Sequence, residues 1–384
     1  MRTLLSALAA LVLLIIIAWA GLWFYAENRL QTGVKTYFAQ TNNAQMQVSY
    51  DGISGSSSPF VVSVVVTGVH ITFGQNLRTG PVTINAPSFG YHISIFQPSL
   101  LHIDLPPQIT GTSGKGDAAI TFGSTDATAT LDLGAAFSGT SNPITGGDWT
   151  IRDISVLASS GSLKVLHIDQ IYVHEVLNRT AGAGQTAVSI QENFDNLALS
   201  PLFTQIAHIP FNGTLSHLGL GVTLSGPVPP DWAAQIKAYK ANAGADPSAN
   251  VKIMEQVGHE WATAGGSGSF TLNAVVGPTT ANLGGTLKFD SAQQPQGTAD
   301  LSANHLDALS SAILDAYPQT QDSINQAQAH LSPYLSTTDA DGQVLTMHLT
   351  YGNGAINLNG QQVAPLPPLN WNYTPPPRPA PVSQ

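Results

Sequence analysis

The chain has 384 residues, 23 Asp and Glu against 13 Lys and Arg, a formal net charge of −10, and only 9 % charged residues. That length accommodates one large or two medium domains, and the acidic balance with scattered Lys and Arg excludes a nucleic-acid footprint and electrostatic attraction to anionic lipid. The lack of cysteine excludes a disulfide framework and a thiol enzyme, while 36 Gly, 25 Pro and polarity drawn from Ser, Thr, Asn and Gln fit a β-rich protein.

In chain order, the first feature is an apolar run from Leu4 to Ala26, broken only by Ser6 and Gly21. As a helix it would be about 35 Å long, enough to cross a bilayer. Trp19, Trp23, Phe24 and Tyr25 gather at its far end, where interfacial aromatics belong. Residues 1–26 are therefore expected to form an N-terminal transmembrane anchor. Ala18-Trp19-Ala20 supports the competing reading, a cleavable signal peptide, and either reading exports the rest of the chain.

Residues 27–44 carry Leu30, Val34, Tyr37 and Phe38 at helical spacing and read as a juxtamembrane continuation. Residues 45–226 read as the β-rich first half of an ectodomain. Pro59 opens "PFVVSVVVTGVHITF", and four further runs rich in β-branched residues follow, each bounded by Gly, Pro, Ser or Asn. Several alternate with period 2: Val69, Ile71 and Phe73 oppose His70 and Thr72, and Leu101, Ile103 and Leu105 oppose His102 and Asp104.

Residues 227–364 mix helices and strands. Asp231 and Asp246 are N-cap candidates for two helices, the second striped by Val251, Met254, Val257 and Trp261. Strands return at "GSGSFTLNAVVGPTTANLGGTLKFD". Helices follow around His305–Ala316 and Asp322–Leu335, then a hairpin turning at Gly352-Asn353-Gly354. The tail, 365–384, holds eight prolines and cannot form a packed element. The fold class expected is mainly β (α+β): an N-terminal transmembrane helix, then curved antiparallel sheet with helices grouped in the second half.

The tetrapeptide Leu-His-Ile-Asp occurs twice, at Leu101–Asp104 and Leu166–Asp169. On a strand, His102 and Asp104 share a face about 7 Å apart, as do His167 and Asp169. Were the two strands neighbours in register, the four side chains could hold one metal ion. The plainer reading is two half-buried strands with polar outer faces, His and Asp meeting water. His70, His92, His174 and His348 also fall on strand-like runs. His174-Glu175 and His259-Glu260 begin like a zinc-peptidase helix, but Asn178 and Thr263 occupy the second histidine position. No Gly-x-Ser-x-Gly elbow occurs, and "GTSGKGD" lacks the spacing of a phosphate loop. No catalytic signature is found, so neither an enzyme nor a cofactor is expected. Phe60–Val66 is apolar at almost every position, fitting either ordinary internal packing or an apolar groove for acyl chains.

Four stretches carry a family resemblance: the aromatic-ended apolar run with its amphipathic helix, "YDGISGSSSPFVVSVVVTGVHI", "HEWATAGGSGSFTLNAVVGPTTANLGGTLKFDSAQQPQGTADL", and "YGNGAINLNGQQVAPLPPL". In this order they resemble a bacterial envelope family known as domain of unknown function 2125. "APSFGYHISIFQPSLLHIDLPPQITG" also resembles the N-terminal units of AsmA-like envelope proteins, which are linked with phospholipid traffic. The resemblance implies a membrane-anchored periplasmic β-protein. The first reading is a single-pass inner-membrane protein with a C-terminal periplasmic ectodomain, acting in envelope homeostasis by holding phospholipid in a β-groove. Val62, Val64, Val66, Ile71 and Phe73 are the candidate lining. A second reading is a non-catalytic adaptor that docks an envelope partner through a sheet edge or the Pro-rich tail, and a third is a periplasmic hydrolase.

Overall fold

The computed structural model describes residues 21–371, except 22, 40, 43–45, 56–57, 59, 75–80, 114–115, 139–142, 159–162, 228–255 and 339–341. The chain divides into two units. The first holds residues up to Val173 with Phe194–Ile206, and the second holds His174–Asn193 with Ala207 onward.

The first unit begins with a helix over 23–39 (α1). Strands β1 (Met46–Ser49) and β2 (Gly52–Gly55) both pair antiparallel with β3 (Val61–Phe73), which pairs along its length with β4 (Val82–Ser94). The next position in the sheet is filled by two short strands, β5 (Leu100–Asp104) and β6 (Gln108–Ser113), both paired with β4. They are one strand path interrupted at Pro106-Pro107, because proline offers no N–H to a ladder. Strands β7 (Gly116–Thr121) and β8 (Ser124–Leu131) follow, and the long β9 (Ile144–Ala158) pairs with both. A short helix, α2 (Leu133–Ser138), leads into β9, which neighbours β10 (Leu163–Leu177).

The core of this unit lies between α1 and the sheet. Val34 and Phe38 of α1 pack with Val48, Val66, Val69 and Ala86, and Leu30, Met46, Ile53, Ile71, Phe89, Tyr91 and Ile109 close the edges. Along β3 the buried residues are Val62, Val64 and Val66, then Val69, so the alternation slips by one at Gly68. Gly68 adopts φ +60°, a conformation that a Cβ would strain, and lies opposite Pro87, which interrupts the ladder on the partner strand. Burial beneath α1, with Tyr37 nearby, pushes the Tyr91 phenol up to about 12. The folded state therefore holds a proton that the unfolded chain releases above pH 10, and stability falls as pH rises from about 10 to 12. In an alkaline absorbance titration, Tyr91→Phe is expected to remove a phenol ionising near 12. An unchanged high-pH limb would contradict this.

The expected membrane anchor is corrected here. Among the described residues no helix is long and apolar enough to cross a membrane. Most of the Leu4–Ala26 run lies outside the described residues. The described α1 carries Glu27, Arg29 and Lys35, and its apolar stripe faces a sheet. Tyr25 donates to the Phe137 carbonyl at 3.0 Å and Arg29 to the Ala136 carbonyl at 3.1 Å, tying α1 to the end of α2. Among the described residues the fold is thus a large antiparallel sheet with helices, and the expected transmembrane helix is not among those helices. Single-pass inner-membrane localisation, the periplasmic ectodomain, and the inner membrane as a partner through that helix are not retained.

Strands β10 and β11 (Thr186–Leu199) are each divided between the units, and the latter leads into α3 (Pro201–Ala207). The second unit is a meander of β12 (Thr214–Ser225), β13 (Ser267–Val276), β14 (Thr279–Phe289), β15 (Pro295–Ala303) and β17 (Gly342–Gly352), each antiparallel to the next. The far edge of β17 is shared by β16 (Leu335–Thr338) and β18 (Ala355–Leu358), and β19 (Gln361–Pro365) pairs with β18. A helix at 256–263 (α4) precedes β13, and α5 (Leu306–Ala316) and α6 (Gln321–Leu331) separate β15 from β16. The helix expected from Asp231 and the start of the next lie outside the described residues, as does the tail beyond Trp371.

Candidate functional site

The structure separates the two Leu-His-Ile-Asp runs. The first is β5 and the second lies on β10, with β8 and β9 between them. Three strand spacings put them about 14 Å apart, so His102, Asp104, His167 and Asp169 do not meet. In each run the aliphatic residues turn inward: Leu101 and Ile168 are buried. The polar pairs find separate local partners. His92, directly across from His102, lies 3.1 Å from Asp104, and the two imidazole rings stack at 4.9 Å.

On β10, His167 Nε2 lies 3.0 Å from Asp169, its Nδ1 lies 3.2 Å from Ser155 Oγ, and Asn196 donates to Asp169 at 2.8 Å. Serine, imidazole and carboxylate in series is the arrangement of nucleophilic catalysis, in which the carboxylate is buried. Here the Asp169 side chain is 51 % exposed. The same motif of a histidine tied across strands recurs at His70–Asn85 (2.6 Å) and His348–Asp300 (2.5 Å). These are polar ties on outward sheet faces.

The candidate lining residues sit on β3. Val64 and Val66 are fully buried and Val62 nearly so. Val66 and Ile71 pack in the cluster completed by Val34 and Phe38, so α1 fills the space in front of this face. Phe73, at the end of β3, pairs with Met46.

The more open apolar surface lies in the second unit, where register aligns side chains in straight ranks across five strands. One rank reads Leu220, Leu272, Leu283, Leu301, Met347, and the next reads Val222, Phe270, Gly285, Ala299, Leu349. Leu218, Ala274, Ala281, Ala303 and Leu345 flank them on one side, and Leu224, Gly268, Leu287, Gly297 and Tyr351 on the other. The one polar group in these four ranks is the Tyr351 hydroxyl, which is turned back to donate to the Thr286 carbonyl at 2.8 Å. The surface is closed at both ends. At one, Ala303 and Leu345 are buried and α5 packs against β14 and β17. At the other, Trp261 meets Phe289 edge-on at 5.8 Å and Phe289 meets Trp371 at 6.4 Å. The indole N–H groups donate to the Ser225 and Gln293 carbonyls, which fixes both rings. Between these ends Leu220, Val222 and Phe270 are 37 %, 45 % and 41 % exposed. The Phe270 ring lies over Gly285, where a Cβ would come within 2.5 Å of it.

The opposite face of the same sheet is hydroxyl-lined. Thr223, Ser269, Thr286, Thr298 and Thr350 form one rank over a shallow groove of about 610 Å³. Thr286 and Thr298 bond each other at 3.1 Å, as cross-strand hydroxyls on a solvent face do. The apolar surface escaped the sequence reading although its alternation is visible in "SFTLNAVV" (Ser269–Val276). Period 2 tells which residues share a face of one strand, and only register tells which strands bring them together.

The model of a bacterial family, DUF2125, described as an uncharacterized protein conserved in bacteria, matches residues 23–367. No curated protein matches the chain. The family match begins at the start of α1 and runs past β19, so it takes in the sheet-covering helix and all the ranks described above. The chain belongs to the DUF2125 family.

Proposed function

We propose that this protein binds an extended apolar chain, of the fatty-acyl kind, on the open apolar face of its second unit. The observation that carries this reading is the set of four successive apolar ranks across β12–β15 and β17, closed at both ends and exposed between them at Leu220, Val222 and Phe270. Exposed apolar residues scattered singly are ordinary, whereas a contiguous apolar patch marks a binding surface. The one polar group within the ranks is already bonded, which favours hydrocarbon over peptide. Five strands span about 19 Å, the length scale of a long acyl chain. Covering roughly 200 Å² of this floor would contribute about 5 kcal/mol before the cost of ordering the ligand.

The test is fluorescence of a conjugated polyene fatty acid titrated with the purified chain, followed by displacement with palmitate. Saturable enhancement reversed by palmitate is expected. Phe270→Asp and Val222→Asp place a charge on the floor at positions exposed enough to leave folding intact, and each is expected to weaken binding at least tenfold. A linear, non-saturable signal, or variants that bind as the wild type does, would end this reading.

A further inference from the structure

On the outward face of the first unit, remote in sequence from the proposed acyl-binding ranks, the geometry points to a divalent transition-metal site, of the kind that takes Zn²⁺, formed by His92, His102 and Asp104. His92 on β4 and His102 on β5 are direct cross-strand partners. Directly opposed residues have Cβ atoms about 5 Å apart, so both imidazoles reach the same point above the sheet. Their rings lie parallel, 6° between planes, with centroids 4.9 Å apart. Asp104 follows His102 by two residues on the same face, and its carboxylate leans back to within 3.1 Å of His92 Nδ1. It does so over Gly90, its cross-strand partner, where a Cβ would fall 2.7 Å from the carboxylate oxygen. Two imidazoles and one carboxylate are the donor types of an open zinc site, with further positions left to water.

One feature sets this group apart from the other histidine ties. His70, His167 and His348 each have a side-chain hydrogen-bond partner. His102 makes no side-chain hydrogen bond among the described residues, and its ring stacks on that of His92. The group is also accessible, with His92 33 % and Asp104 66 % exposed, so an ion can reach it from solvent. Among the described residues no group of three or more His, Cys, Asp or Glu is placed to hold a metal ion as its side chains now lie. Binding therefore turns the imidazoles out of their stack, so that one nitrogen of each approaches the ion to about 2.1 Å. The stack stores the donors side by side, and the ion replaces the direct His92–Asp104 contact with two bonds to itself.

The experiment is calorimetric titration of ZnCl₂ into the chelator-treated full chain at pH 7.5. One equivalent binding at micromolar Kd is expected. His92→Ala and His102→Ala are each expected to weaken binding at least tenfold, and Asp104→Asn about threefold or more. The polar substitution His102→Asn is expected to give the same loss, with the fold checked by circular dichroism. His348→Ala combined with His70→Ala is expected to leave the isotherm unchanged. Absence of a saturable one-equivalent phase overturns the site. So does zinc binding that survives loss of either His92 or His102, or that is lost with His348 and His70.

Discussion

Valine in place of Gly297 is expected to unfold the second unit under conditions where the wild type is fully folded. Gly297 sits in β15 between Leu287 on β14 and Tyr351 on β17. A Cβ at this position would lie 1.8 Å from the Thr286 carbonyl oxygen and 2.6 Å from the Tyr351 hydroxyl. The carbonyl is held in place by the strand and accepts the tyrosine hydroxyl at 2.8 Å, so relief requires displacing a strand of a central ladder. Overpacking a core costs about 1–3 kcal/mol when side chains can adjust, and here the obstruction is backbone. Alanine is expected to cost about 3 kcal/mol and valine more, which is a large share of a domain's ordinary stability. Urea unfolding followed by tryptophan fluorescence, which reports Trp261 and Trp371 in this unit, should show the midpoint fall sharply. A Gly297→Val chain with a wild-type midpoint would show that β15 does not sit as described.

Val66→Asp is the corresponding change in the first unit. Val66 is fully buried among Val34, Phe38 and Val69. An aspartate there must either bury an unpaired charge or take up a proton, and the expected loss is about 4 kcal/mol or more. This substitution also tests the position of α1. Were the helix not laid on the sheet, Val66 would meet solvent and aspartate would be tolerated. Phe38→Ala, from the helix side, is expected to cost about 3 kcal/mol and to give the same loss of cooperative unfolding. If only Val66→Asp is destabilising, the sheet is covered by something other than α1.

These two residues show what was legible in the sequence and what was not. The amphipathic stripe through Leu30, Val34 and Phe38 and the alternation of β3 follow from side-chain periodicity, and both are present in the structure. Periodicity does not say what an apolar stripe packs against, and the stripe taken as a juxtamembrane extension packs on a sheet. Nor did it expose the slip at Gly68, where one residue of left-handed backbone changes the parity of the buried face. The histidines were visible as strand residues, but their partners were set by register. His102 meets His92, ten residues earlier across a hairpin, and not His167, which has its identical sequence setting. The same holds for the apolar ranks. Leu272, Leu283 and Leu301 lie in three separate strands, and nothing local to any of them announces that they line up.

Photocrosslinking with a diazirine-bearing palmitate, followed by peptide mapping, tests acyl-chain binding most directly. The account predicts saturable labelling that unlabelled palmitate suppresses, with adducts concentrated between Leu220 and Val222 and between Ser267 and Ala303. Label that fails to saturate, or that falls mainly on the hydroxyl-lined face or in the first unit, would contradict it.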